Sequence, residues 1–342
     1  MTTENKTYPY KQKIVTFGGG TGQFYLLSGL RELNFPPFIT AVAGIWDSGG
    51  SSGRLRTEHG LLPQGDIRRC ALALIEDEGQ RRVAQRLFDD RLEEFENPLK
   101  GHSLGNLIGS RLDYIYHGID RGTDALRDFL RISAHILPAS LSDLQLIGRT
   151  QKGIAIEGET NIDLRRKRED FDPHDKILRI YFNTRPDPNP RVTQAIAQAD
   201  KIIFAPGDLY TSILPHLLIP GVQEAIVSSR AKLIFILNLM TKEGETDFFK
   251  ASDHLKALLF YLEDCGRIDF MIASTNHHHS EVIEYYKQWG QEPVQIDEDE
   301  CKKLSPNLKI VRADLARYMR KEHLLRHDPQ KLASTILRVD KS

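Results

Sequence analysis

The sequence predicts an α/β fold, a mostly parallel sheet covered by helices on both faces, and three observations predict it. Short apolar runs recur along the chain without the polar alternation of a half-exposed strand. Segments with apolar residues three or four apart separate these runs. Glycine-rich loops follow several of them, where the strands of a parallel sheet end and ligands collect.

In chain order, Lys13–Phe17 and Phe38–Trp46 read as strands, with a helix at about Gly22–Leu33 between them. Residues 66–135 carry several consecutive helical patterns and read as a helical insertion. Residues 144–160 (L-Q-L-I-G-R-T, then G-I-A-I-E-G-E-T) read as an antiparallel hairpin, and R-R-K-R-E-D (165–170) as a solvated loop. Further strands are expected at 176–183, 201–206, 232–238 and 269–275. Amphipathic segments such as R-V-T-Q-A-I-A-Q-A, G-V-Q-E-A-I-V-S-S and A-S-D-H-L-K-A-L-L-F-Y-L-E-D lie between them. The pattern is taken as a single domain over 12–340, with residues 1–11 as a tail.

Composition narrows the function. The formal net charge of −1 gives no global footprint for nucleic acid or an anionic membrane. No apolar run approaches the roughly 18–20 residues of a membrane span. The amino terminus lacks the apolar core of a signal peptide. Cys70, Cys265 and Cys301 are widely spaced and odd in number, which argues against a disulfide framework or a zinc cluster. A cytoplasmic protein is expected.

The glycine loops carry the chemistry. Gly18, Gly19, Gly20 and Gly22 stand at the end of the first strand, with Thr21 among them, just before a helix. Glycine lets backbone approach a guest closely, and a helix start offers unpaired N–H groups to an anion. A phosphate or diphosphate is the default guest. Gln23 occupies the place of the last glycine of G-x-G-x-x-G, and no G-K-[ST] follows, so an ATPase P-loop is excluded.

The loop W-D-S-G-G-S-S-G-R-L-R (46–56) follows the second strand. Asp47 can accept from ribose or hold a metal, Gly50, Ser51, Ser52 and Gly53 supply donors, and Arg54 can neutralise phosphate. Asp66 of P-Q-G-D-I-R-R is either a helix N-cap or a site carboxylate. Gly207, Tyr210, Thr211 and Ser212 follow a later strand, and Asn238 and Thr241 could read a base edge. G-H-S-L-G (101–105) fits the hydrolase elbow pattern but follows Asn97-Pro98 rather than a strand, so Ser103 reads as a helix cap, with His102 and Asn106 facing the ligand. His277–His279 lack a supporting ligand set.

Taken in order, G-G-G-T-G, D-S-G-G-S-S-G-R-L-R, P-Q-G-D-I-R, G-H-S-L-G-N, I-L-P-A-S and P-G-D-L-Y-T-S resemble the CofD-like family. The C-terminal G-E-T-D, A-S-D-H-L, E-P-V and L-R-H-D place the resemblance in its gluconeogenesis-factor branch. The resemblance implies a three-layer Rossmann-like core that binds a nucleotide diphosphate. In the transferase members, a phospholactyl group passes from a guanosine diphospho donor to a deazaflavin alcohol with magnesium. In the closer branch the ligand is UDP-N-acetylglucosamine, and the role is regulatory, sustaining cell shape and wall synthesis on gluconeogenic carbon.

Tyr286 and Arg326 match that branch's sugar-binding tail. Ser48, Arg69, Ala205 and Asp208 depart from the family pattern, and Ser48 removes one of two adjacent carboxylates that a magnesium site would use. The alternatives are a magnesium-dependent transferase, with Asp47 and Asp66 on the metal and His102 as general base, and an NAD-binding protein. A homodimer and a regulatory protein partner are compatible with these readings, and the sequence specifies neither.

Overall fold

β1 (Lys13–Gly18) is buried at every position after Lys13, as a strand covered on both faces must be. The computed structural model describes residues 11–96, 99–263, 267–275 and 280–339, so Cys265 and His277–His279 lie outside the described residues. α1 (Gly20–Arg31) carries the chain to β2 (Phe38–Ala43), which pairs parallel to β1 with Lys13 opposite Phe38. The second strand thus stops three residues short of expectation. Trp46 leaves the sheet, and its indole N–H donates to the Thr211 carbonyl at 2.7 Å.

Five helices follow: α2 (Gly50–His59), α3 (Gly65–Leu74), α4 (Glu78–Asp89), α5 (Leu104–Ile115) and α6 (Ile119–Phe129). Ser103 is the N-cap of α5, and its hydroxyl accepts from the Asn106 N–H. β3 (His135–Pro138) then rejoins the sheet beside β2. Four residues are too few to show a strand period, and no strand was expected there.

β4 (Leu146–Thr150) and β5 (Ala155–Glu157) form the expected hairpin, and α7 (Glu159–Asp163) follows. β6 (Ile177–Phe182) corrects the expectation for 176–183. It pairs antiparallel with β4 in a separate three-stranded sheet, and its exposed Leu178 and Arg179 show that it is not the fully covered strand expected. The 165–170 loop is also not simply solvated. Arg165 is buried, with its guanidinium 3.4 Å from the buried Asp175 carboxylate, while Lys167 to Asp170 are exposed and include the Arg168–Asp170 pair.

The chain then alternates: α8 (Pro190–Ala197), β7 (Lys201–Phe204), α9 (Val222–Ser228), β8 (Lys232–Ile236), α10 (Ala251–Tyr261), β9 (Phe270–Ser274), α11 (Ser280–Lys287), α12 (Glu298–Leu304) and β10 (Lys309–Ala313). A hairpin of β11 (Ala316–Met319) and β12 (Leu324–His327) precedes α13 (Pro329–Arg338).

The main sheet has seven parallel strands in the order β10-β9-β8-β7-β1-β2-β3. From β1 the chain builds outward through β2 to β3, then returns to lay β7 on the other side of β1. The direction of winding therefore reverses between β1 and β7, and the crevice outside the carboxyl ends at such a point is where open α/β sheets take ligands. Each face of the sheet has its own apolar core. Among the described residues, no helix is long and apolar enough to cross a membrane.

Gln23 ties this switch region together. Its buried amide donates to Thr16 Oγ1 and the Val42 carbonyl, both at 3.1 Å, and the Cys70 thiol reaches its carbonyl at 3.5 Å. Where the dinucleotide fingerprint has glycine, this chain has a stitch joining β1, β2 and α3. Gln23→Met is expected to destabilise the fold by about 2 kcal/mol, since it strands buried partners, and a urea midpoint lowered at unchanged slope would show it.

Candidate functional site

A cleft of about 540 Å³ opens beyond the carboxyl ends of β1, β2, β7 and β8. Its floor is the Gly19–Gly22 turn and the start of α1, opposed by the Pro206–Asp208 loop. These two pieces of backbone touch so closely that a Cβ on Gly22 would lie 1.7 Å from the Pro206 carbonyl oxygen. Asn238 holds the second loop in place. Its amide oxygen accepts from the Gly207 N–H at 3.1 Å and its nitrogen donates to the Gly207 carbonyl at 2.8 Å. Beneath the first turn, the buried His216 ring meets the Gly18 carbonyl through Nε2 at 3.1 Å. Burial pulls this imidazole down to about 4, so it stays neutral.

One wall is acidic. Asp66, in the first turn of α3, does not cap its own helix, since Gln64 is the N-cap there. Its Oδ1 accepts from the Gly20 N–H at 2.7 Å and so caps α1. Burial, then the nearby Asp47 charge, lifts the Asp66 carboxyl to about 7. Burial also raises Asp47, although the Gly49 N–H donates to it at 2.8 Å. Glu159 is lifted to about 8 by burial, then by Asp47 and Asp163. Asp47 lies close enough to raise both Asp66 and Glu159, and on this half-buried wall the Asp47 and Asp66 carboxylates offer oxygen donors of the kind a hard divalent cation takes.

Next to it, reached through Asp163 at the other end of α7, is a charge cluster. Oxygens of Asp163, Asp208 and Glu245 lie within 4.8 Å of one another. The Lys242 ammonium already serves them, 2.6 Å from Asp163 and 3.6 Å from Asp208. Burial works against this ammonium, but Asp208 and Asp163 outweigh it and hold its pKa above the ordinary lysine value. Glu245 stands behind, lifted to about 8 by burial and then by Asp208. It accepts from the Tyr210 N–H and the Thr211 hydroxyl, both at 2.9 Å, and so fixes the π-helical turn Leu209–Ile213. The far end of the cleft is closed by Tyr286, Arg326 and His327.

The model of the family described as "2-phospho-L-lactate transferase CofD" matches residues 14–316. The chain belongs to the CofD family. Among its relatives in the family, a protein of Thermotoga maritima named putative gluconeogenesis factor is 39% identical over 96% of this chain and 99% of its own. The gluconeogenesis factor of Bacillus subtilis is 36% identical over 96% and 98%. A crystal structure of a Bacillus halodurans protein, 36% identical, superposes with a TM-score of 0.87 over 96% of this chain and all of that one. The three-layer α/β fold is therefore that of the family.

The departures from the family pattern find local explanations. Asp208, an unfavourable neighbour for a diphosphate, faces Lys242. Ser48 points to α7, where its hydroxyl oxygen accepts from the Thr160 N–H at 3.0 Å. Ala205 is fully buried under Gly18, and Arg69 is near enough to Asp66 to draw its pKa back down.

The cleft gathers many of the expected residues: Gly19, Gly20, Thr21, Gly22, Asp47 and Asp66, then Gly207, Thr211, Ser212, Asn238, Thr241, Tyr286 and Arg326. It does not gather the 46–56 loop as a donor array. From Gly50, at φ +48°, that segment winds into α2. Ser51 instead meets His102 Nδ1 at 3.1 Å, Ser52 accepts from the Asn106 amide at 3.1 Å, and Gly53 packs on the Ser48 carbonyl. Arg54 donates to the Lys100 carbonyl at 2.8 Å. His102 and Asn106 are thus committed to holding α2 against α5, and neither lines the cleft. Gly18 lies within β1, and Tyr210 packs against Phe249 behind the wall.

Two expected base readers have other work. Asn238 clamps Gly207, and the Thr241 hydroxyl accepts from the Glu292 N–H at 3.0 Å. Sequence reasoning missed Glu159, Asp163, Lys242 and His327. His327 lies inside the L-R-H-D motif and Lys242 two residues before G-E-T-D, so their neighbourhoods were marked and only their facing the cleft was unreadable.

Proposed function

We propose that this chain is a nucleotide-sugar-binding regulatory protein whose ligand is UDP-N-acetylglucosamine, supporting cell shape and wall synthesis during growth on gluconeogenic carbon. The observation that carries this reading is the cleft itself: a switch-point crevice with backbone glycines on its floor and Lys242 and Arg326 facing it. Asp47 and Asp66 would hold a magnesium ion, which would supply the positive charge that a diphosphate needs beside an acidic wall. Relatives bearing the name gluconeogenesis factor support a regulatory role.

A transferase reading loses its general base, because His102 sits away from the cleft in contact with Ser51. Isothermal titration with UDP-N-acetylglucosamine and magnesium tests the proposal. Saturable binding is expected, with Arg326→Ala weaker by about tenfold or more, the worth of one charge-assisted hydrogen bond. Equal affinity in the variant would remove Arg326 from the site, and no binding by the wild type would remove the ligand.

A further inference from the structure

A smaller chamber of about 260 Å³ lies beside the main cleft, and its wall is of a different kind. Asp163, Lys242, Tyr286, Gln291 and Leu324 line both spaces, so the two abut. Beyond that junction stand Arg166, Glu243, Tyr285 and Trp289, which the main cleft does not touch.

The chamber is built rather than accidental. α11 ends in a turn in which Trp289 and Gln291 N–H groups both return to the Tyr286 carbonyl, at 2.9 and 3.1 Å, and Gly290 takes φ +64°. A Cβ at Gly290 would come within 3.0 Å of the Glu243 side chain, so the turn seats directly on it. Glu243 in turn holds Arg166 at 3.0 Å, and that guanidinium lies over the Trp289 ring, 4.7 Å from its centroid. The Tyr285 ring is braced by His323, stacked at 5.3 Å. Yet Trp289, so carefully placed, remains 43% exposed.

Resting on the nucleotide-sugar reading, we propose that this side chamber seats the pyranose ring of the ligand, with Trp289 and Tyr285 as its apolar platform and Gln291, Glu243 and Arg166 as partners for its hydroxyls. The chemistry matches part by part. Aromatic faces accept the C–H face of a sugar, while an amide, a carboxylate and a guanidinium serve hydroxyls that both donate and accept. Asp163 and Glu243 disfavour a further phosphate in the chamber. Lys242 stands at the junction, where the distal phosphate passes and the ring carried on it turns inward. Arg326 faces the main cleft alone and so serves the diphosphate, not the sugar.

Titration of the wild type and Trp289→Ala with UDP-N-acetylglucosamine and with UDP, both with magnesium, tests this. The wild type is expected to prefer the sugar nucleotide. Trp289→Ala is expected to lose about tenfold for it while keeping its affinity for UDP. An unchanged affinity for the sugar nucleotide, an equal loss for both ligands, or no wild-type preference would each overturn the chamber's assignment. Wild-type protein that binds neither compound would overturn the nucleotide-sugar reading, and the assignment with it. Circular dichroism of the variant guards against misfolding, which the exposure of Trp289 makes an unexpected result.

Discussion

Lys242→Met is expected to destabilise the protein by about 3 kcal/mol at pH 8, far more than an ordinary surface lysine. The ammonium stands between Asp163 and Asp208, with Glu245 behind them, and methionine would leave those carboxylates facing one another. Removing one partner of a buried ion group costs roughly 3–5 kcal/mol, and the lower figure applies because 27% of the lysine side chain still meets solvent. The loss depends on pH. Glu245 already titrates at about 8 and Asp208 above its ordinary value, and without the lysine both would rise further. Protonation of Glu245 as pH falls relieves the repulsion, and the raised Asp208 shifts the same way, so the difference between variant and wild type shrinks toward pH 5. Denaturant melts at pH 5 and pH 8 measure this. A deficit that is equal at both values, or absent, would mean that the ammonium does not hold the cluster.

How far the sequence reveals this molecule depends on what each residue type can signal. β1, β7, β8 and β9 are legible because strands buried on both faces cannot carry polar alternation, and their apolar runs say so. β6 was misplaced although its own residues carried the warning: Arg179 sits mid-strand, where a fully covered strand has no room for a guanidinium. β3 and the β11–β12 hairpin are short and owe their pairing to partners distant in sequence.

At the site, the glycines of the first turn were legible because backbone contact as close as that of Gly22 tolerates no other residue. The D-S-G-G-S-S-G segment misled because glycine and serine serve a tight helix start as well as a ligand loop, and only the fold shows that Gly53 packs on its own Ser48. Glu159 and Asp163 were invisible because they come from a short helix after the small sheet, which sequence gives no reason to bring under β2.

That same acidic wall makes the second large effect a linkage between pH, cation and stability. The Asp66 carboxyl sits near 7 in the folded protein against an ordinary 3.8, and Glu159 near 8 against 4.5. A folded-state pKa raised above the unfolded one stabilises fully below the unfolded value, and that contribution is lost as pH climbs through the folded value. The apparent melting temperature without divalent cations is therefore expected to fall between pH 5 and pH 8.5. For Asp66 alone, ionising a carboxyl held near 7 costs up to about 4 kcal/mol. Asp66→Asn keeps an oxygen for the Gly20 N–H but carries no charge, so its melting temperature should fall less over the same range. Magnesium should raise the wild-type melting temperature most at pH 8.5, where the wall is ionised, and should raise that of Asp66→Asn less. Scanning calorimetry of both proteins at the two pH values, with and without magnesium, separates the contributions. A wild type that gains stability with rising pH, or an asparagine variant that follows the wild-type curve, would show that the Asp66 charge is not confined in the wall as described.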